Sequence, residues 1–245
     1  MASRLKRMGW FFRKVVPINL GAELVVEVHN HVLPGVDDGA RTVEEAMQML
    51  VFWAEMGYQK VIATPHQNTS MWAPAQVIEN AAQRLQAQLL EQEIPLHLTV
   101  AAEYLLEPEL QRHLAALRTF GPKRYVLIEL GWWAPPLGWE RFFFTLHAAG
   151  YTPVLAHPER YEYANEKSLK EWHEKGVLMQ INLLSLANQY GRKVQHKAEY
   201  LLEKGWVAFV GSDLHHATDT VALRQALQHK LLRKRIGQLL NPTLL

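Results

Sequence analysis

Cysteine is missing from all 245 residues of the chain. Its absence excludes a disulfide framework, a thiolate-ligated zinc site and any hydrolysis through a cysteine nucleophile. Also missing is an apolar run long enough to span a bilayer. There is no signal-peptide h-region with a cleavage site, so a cytoplasmic location is expected. Charge of one sign is not in excess either. A net +2 gives no support for nucleic-acid binding. No low-complexity linker and no short-period repeat interrupts the chain.

What is present is an ordinary soluble composition, 49% hydrophobic and 20% charged, at a length common for one α/β barrel. The beginning is distinct. In residues 1–17, Arg4, Lys6, Arg7, Arg13 and Lys14 surround Trp10, Phe11 and Phe12. Residues 1–22 are therefore read as a basic extension and 23–245 as a single domain. Such an extension can lie as a short helix on an anionic membrane surface, pack on the domain, or stay disordered.

From residue 25 onward, β-forming runs alternate with helical patterns seven times. The strands are expected at 25–31, 60–64, 97–102, 125–128, 152–156, 177–181 and 207–211. Helices are expected at 43–54 (capped by Thr42, with Glu45 completing a capping box), 74–93, from 107, 139–149, 166–175, 193–204 and 219–240. Alternation of this kind implies parallel strands joined by helical crossovers. The strand ends carry His29 and His31, His66, Glu103, Glu129, His157, Asn182, and Asp213 with His215. Nearly every strand finishes in a side chain able to bind metal, on the face where parallel α/β barrels assemble active sites.

His29-x-His31 and Asp213-x-His215 are i, i+2 pairs, and on a strand each pair points one way. Imidazoles with carboxylates arriving beside them suit a divalent metal. A pair of surface histidines is the plain alternative for the first motif, a helix cap at Asp213 for the second. Glu103 and Glu129 end apolar strands, where a carboxylate needs a partner; a polynuclear metal centre or a salt bridge provides one. Asp37 and Asp38 compete for one ligand position, and Asp-Asp-Gly is also turn chemistry. Arg160, three residues after His157, is suited to bidentate phosphate binding, with an ion pair to Glu159 or Glu162 as competitor. Trp132 and Trp133, in a proline-rich loop, could wall a cleft for an aromatic substrate.

Several stretches carry a resemblance: residues 29–39 (HNHVLPGVDDG), 63–66 (ATPH), 101–104 (AAEY), 128–129 (IE), 153–161 (PVLAHPERY), 180–186 (QINLLSL) and 211–216 (GSDLHH). In these the chain resembles the polymerase and histidinol phosphatase (PHP) superfamily. More closely it resembles the bacterial metal-dependent protein tyrosine phosphatases of capsule and exopolysaccharide loci. The resemblance implies a distorted (β/α)7 barrel with three divalent ions, manganese, iron or zinc, at the C-terminal strand ends. It places one ion on His29, His31, Glu103 and Asp213. A second falls on Glu129 and His157 with Glu103 as a bridge, and a third on His66, His215 and Asp38. Arg160 matches the phosphate-contacting arginine. Glu27 stands where the pattern usually has aspartate, and no further arginine follows closely after Asp213-x-His215; Arg224 is too distant to carry over.

The expected activity is hydrolysis of protein phosphotyrosine. Its expected partner is a tyrosine kinase that controls polysaccharide export. A small-molecule phosphatase of the histidinol-phosphate type and a non-catalytic metal-binding scaffold are the alternatives.

Overall fold

A computed structural model describes residues 20–245. The basic extension's first nineteen residues, and with them the expected membrane contact, lie outside the described residues. No described helix is long and apolar enough to cross a membrane.

Among the described residues, nine strands appear where seven were expected: β1 (Val26–Glu27), β2 (Lys60–Ala63), β3 (His66–Gln67), β4 (His97–Val100), β5 (Glu103–Leu105), β6 (Tyr125–Glu129), β7 (Thr152–Ala156), β8 (Leu178–Asn182) and β9 (Val207–Gly211). The extra two arise because the second and third expected strands are each interrupted. Pro65 lacks an N–H and cannot continue the ladder between β2 and β3. The chain resumes in the same direction, with the Ala101 N–H donating to the Ala63 carbonyl and the Glu103 N–H to that of Pro65.

All named strand pairings are parallel, in a three-stranded sheet ordered β1-β2-β4 and a six-stranded sheet ordered β3-β5-β6-β7-β8-β9. The strands of the distorted (β/α)7 barrel implied by the resemblance are laid out here in these two parallel sheets. An isolated parallel bridge between Asn30 and Leu214 brings the end of β9 back against the chain leaving β1. Its bonds run from the Asp213 N–H to the His29 carbonyl (2.7 Å) and from the His31 N–H to the Leu214 carbonyl (2.9 Å).

Side-chain alternation along the strands builds two apolar layers. Val26, Val28, Ile62, Leu127, Val154 and Phe209 form an inner cluster drawn from strands of both sheets. Val61, Val126, Ile128, Leu155 and Val210 face outward into the larger cluster, which packs against the helices.

Thr42 does cap the helix Val43–Glu55, its hydroxyl accepting from the Glu45 N–H. The Glu45 carboxylate, however, reaches the Arg41 N–H rather than that of Thr42. A reciprocal capping box occurs instead between Asn165 and Ser168, ahead of helix Glu166–Glu174. The single tail helix expected over 219–240 is broken into Thr220–Ala226 and Lys230–Arg235 with 3₁₀ turns beyond. The break lets the tail fold back so that Leu232, Ile236, Leu239 and Leu244 are buried.

That return seats Asn241 under the sheets. Its amide donates to the carbonyls of Val26 and Val210 and its oxygen accepts from the Val210 N–H, at 2.7–3.0 Å. Asn241→Ala leaves these buried groups unpaired, at about 1–3 kcal/mol for each one left without water. The variant is expected to melt at least about 5 °C lower in thermal denaturation; an unchanged melting temperature would contradict the tie between β1 and β9.

Candidate metal centre

The strand-end side chains singled out from sequence all meet at one place. Although β1 ends at Glu27, the alternation persists for four more residues. Asn30 turns the other way and is pinned to the neighbouring strand, through its amide to the Ile62 carbonyl and through its N–H to the Thr64 hydroxyl. His29 and His31 therefore point together, with ring centroids 5.5 Å apart. Gly211 permits the close packing of β9 on this segment, since a Cβ there would lie 2.5 Å from the His29 Cβ. His157 and Asp213 sit in the left-handed backbone region (φ 30° and 56°). That conformation is costly for residues other than glycine and concentrates at functional sites.

Three sets of side chains each bring their ligand atoms within 4.8 Å of one another: His29, His31, Glu103 and Asp213; His31, Asp38, His66 and His215; and His66, Glu103 and Glu129. The first two sets contain the groupings implied by resemblance, with His31 common to both. In the third, His66 stands where His157 was expected. His157 is nonetheless close, its Nε2 3.0 Å from a Glu103 oxygen and 3.8 Å from Glu129. Glu103 is the hub. Its Oε2 lies 3.1 Å from His66 Nδ1, 3.2 Å from His29 Nε2 and 3.5 Å from His31 Nε2.

Asp37 and Asp38 point to different partners. Asp37 accepts from His31 Nδ1 at 2.7 Å and from the N–H groups of Gly39 and His66, so its oxygens are committed. Asp38 faces the histidines on the open side, 3.6 Å from His66 Nε2 and 3.5 Å from His215 Nε2. Asp37 thus holds the His31 tautomer that leaves Nε2 turned toward the site. Gln180 does the same for His29, accepting from Nδ1 at 2.9 Å, and the Asp213 carbonyl does so for His215. Partners of this kind typically change metal affinity about 10–100-fold when removed. Asp37→Asn is expected to weaken metal binding by that factor in equilibrium titration, and a loss below twofold would refute the orienting role.

Glu27, the departure from the usual aspartate, hydrogen-bonds to backbone and hydroxyl rather than to an imidazole. It accepts from the His29 N–H, the Ser212 N–H and the Ser212 hydroxyl, tying the start of one ligand pair to the start of the other. Burial pushes its carboxyl up to about 7 against those hydrogen bonds. Gln180 and Asn182 had no place in the expected ligand sets. Asn182 donates to Asp213 Oδ2 at 2.7 Å; Gln180 and Asn182 carried a usable signal in their i, i+2 spacing at the end of β8. Glu159 is fully buried, accepts from the Asn182 N–H and the Ser185 hydroxyl, and does not pair with Arg160.

Arg160 turns instead toward the cluster. Its Nη1 is 2.5 Å from Asp213 Oδ2, and its guanidinium is held between the rings of Trp132 (4.6 Å) and Tyr190 (4.2 Å). Trp132 also stacks on His157 at an interplanar angle of 8°. Arg224 is elsewhere, paired with Glu55 at 2.6 Å, and His216 faces Glu45.

The electrostatics favour cations. Burial lowers the pKa of His29, but the Glu103 and Asp213 carboxylates outweigh it and raise it to about 9. Burial, with Glu103 and Asp213 close by, pushes Glu129 well above the usual carboxylate range. His29 Nε2, His31 Nε2 and Glu103 Oε2 are fully buried with no hydrogen-bond partner among the described residues. Buried polar atoms are almost always partnered. Orphaned imidazole and carboxylate atoms converging at 3.2–3.5 Å fit divalent cations as the missing partners.

Comparison with known proteins agrees with this chemistry. The family described as "Capsular polysaccharide synthesis, CpsB/CapC" matches residues 25–244. The tyrosine-protein phosphatase YwqE of Bacillus subtilis is 34% identical over 198 residues, covering 78% of each chain. The tyrosine-protein phosphatase CpsB of Streptococcus pneumoniae is 29% identical over 204 residues, 78% of this chain and 83% of that one. A solved structure from work on YwqE and CpsB, described as unique metal-dependent tyrosine phosphatases, matches with a TM-score of 0.79. It is 31% identical and covers 89% of this chain and 90% of that chain.

Proposed function

The chain belongs to the CpsB/CapC capsular polysaccharide synthesis family, and from that premise we propose that it is a metal-dependent phosphatase acting on protein phosphotyrosine. The observation that carries the reading is the convergence of unpartnered buried imidazole and carboxylate atoms beside a guanidinium. One divalent ion would be held by His29, His31, Glu103 and Asp213, a second by His66, His215 and Asp38, and a third by Glu129 and His157 with Glu103 shared. Such ions, when bound, supply Lewis-acid stabilisation of phosphoryl charge and lower the pKa of water.

The chain's own residues do the rest. Arg160 remains charged because Asp213 outweighs the effect of burial, and it offers its remaining N–H groups to the equatorial phosphoryl oxygens. Trp132 and Tyr190 keep the guanidinium plane fixed, so little order is lost when the phosphate docks. Asp37, Gln180 and Glu27 hold the imidazoles and the backbone that carries them. No covalent phospho-enzyme is required, which agrees with a chain free of cysteine.

The proposed substrate is the phosphorylated tail of a tyrosine kinase of polysaccharide export. Turnover of a phosphotyrosyl peptide and of p-nitrophenyl phosphate is expected with added Mn²⁺, and EDTA is expected to abolish it. Preference for histidinol phosphate over the peptide would move the reading to a small-molecule phosphatase. No metal-dependent turnover of any ester would leave a scaffold.

A further inference from the structure

Next to the metal cluster, and continuous with it through Arg160, lies an open groove of about 1050 Å³. One wall is aromatic: Trp132, Trp133 and Tyr190. Trp132 and Trp133 are 41% and 85% exposed, large apolar surfaces left in water beside a catalytic cleft. The floor is basic. Arg192, Lys193 and His196, all exposed, line it, and their side chains make no hydrogen bond or ion pair with any described residue. Lys197 also reaches the groove, but its ammonium is already used on the carbonyls of Tyr161 and Ala164.

Two carboxylates, Glu162 and Glu166, belong to the same groove. Neither forms an ion pair with the three basic residues. Elsewhere on the surface, neighbouring opposite charges do pair, as in Lys175 with Glu140 at 2.7 Å and Arg118 with Glu79 at 2.6 Å. The charges of Arg192 and Lys193, adjacent in the chain and unpaired, repel one another, and an anionic partner would relieve that repulsion. Both also stand in the first turn of helix Arg192–Lys204, where the helix dipole disfavours cations.

Resting on the phosphatase reading above, we propose that this groove selects phosphotyrosyl segments flanked by aspartate or glutamate. The phosphate sits at Arg160, the peptide lies along the wall formed by Trp132, Trp133 and Tyr190, and flanking carboxylates meet Arg192, Lys193 and His196. Selection by exposed charges acts at long range and is screened by salt. It therefore appears in kcat/KM at low ionic strength and fades as salt is raised.

The test uses the full chain loaded with Mn²⁺ and three phosphotyrosyl peptides of one length, flanked by Asp/Glu, by Asn/Gln or by Lys. The acidic peptide is expected to exceed the neutral one about tenfold in kcat/KM at low salt, and the lysine peptide to fall below both. In 0.5 M NaCl the ratio of acidic to neutral is expected to approach one. In the double variant Arg192→Gln, Lys193→Gln the same ratio is expected to fall at least threefold, with the neutral peptide as internal reference. Equal turnover of acidic and neutral peptides, or a preference that survives in the double variant, overturns the proposal.

Binding separates this outcome from failure of the phosphatase reading. The same peptides carrying the non-hydrolysable phosphonomethyl-phenylalanine are titrated by fluorescence anisotropy. Tighter binding of the acidic peptide supports the groove even if no ester is turned over. Equal binding overturns the proposal even in an active phosphatase.

Discussion

Glu103→Gln is expected to lower metal-dependent phosphatase turnover by a factor on the order of 10³. The size follows from the position of this carboxylate. One oxygen lies within 3.5 Å of ligand nitrogens on His29, His31 and His66, and the other is 3.0 Å from His157. Glu103 is a proposed ligand of two of the three ions, and it lies 3.1 Å from His66, a proposed ligand of the other. An amide has nearly the same shape, so the fold is expected to survive. It lacks the negative charge, however, and turns an N–H₂ donor toward atoms that should bind cations. Metal analysis is expected to show loss of bound ion in step with loss of activity. In the metal-free protein the melting temperature is expected to fall, because a neutral amide no longer pairs with the His29 and His66 imidazoles that, against the effect of burial, hold the Glu103 carboxyl well below the usual carboxylate range. A variant that keeps more than a tenth of wild-type activity would remove Glu103 from the centre of the mechanism.

Arg160 gives the second large effect. Arg160→Ala is expected to cost about 10²–10³ in kcat/KM, the usual range for deleting one preorganised donor to a developing anion. Arg160→Lys is expected to recover less than tenfold of that loss. Lysine presents a point charge, cannot offer two parallel N–H groups, and has no planar face to lie between Trp132 and Tyr190. Metal content in both variants is expected to stay near the wild-type value, which separates a phosphate clamp from a residue needed only to assemble the cluster. Full rescue by lysine would show that charge alone matters there and that the aromatic sandwich does not position a fork.

Glu103 and Arg160 are both legible in the amino-acid order. His29, His31, His66, Glu103, Glu129, His157, Asp213 and His215 stand out because each follows a β-forming run, and parallel strands present their ends on one face. Arg160 stands out by following His157. The helices at 43–55 and 75–91 are legible within a few residues, from apolar periodicity and, for the first, from the Thr42 cap. The broken tail is not. Its apolar residues continue with helical spacing, and only the need to bury them against β9 and to seat Asn241 between strands makes the chain turn.

Residue type and order set the chemistry available: no thiol, a set of imidazoles and carboxylates at strand ends, and the parallel order that gathers them. Those follow from composition and from periods of 2.0 and 3.6, which are local properties. How each donor atom is used emerges only in the folded chain. Asp37 rather than Asp38 turns inward because the His31 ring and two backbone N–H groups meet there. Glu27 reaches the backbone of both ligand pairs because β1 and the end of β9 come together across 185 residues. Tyr190, unmarked by any motif, covers the Arg160 guanidinium because a loop thirty residues on folds over it. Such contacts depend on distances between segments far apart in the chain, and no local pattern carries that information.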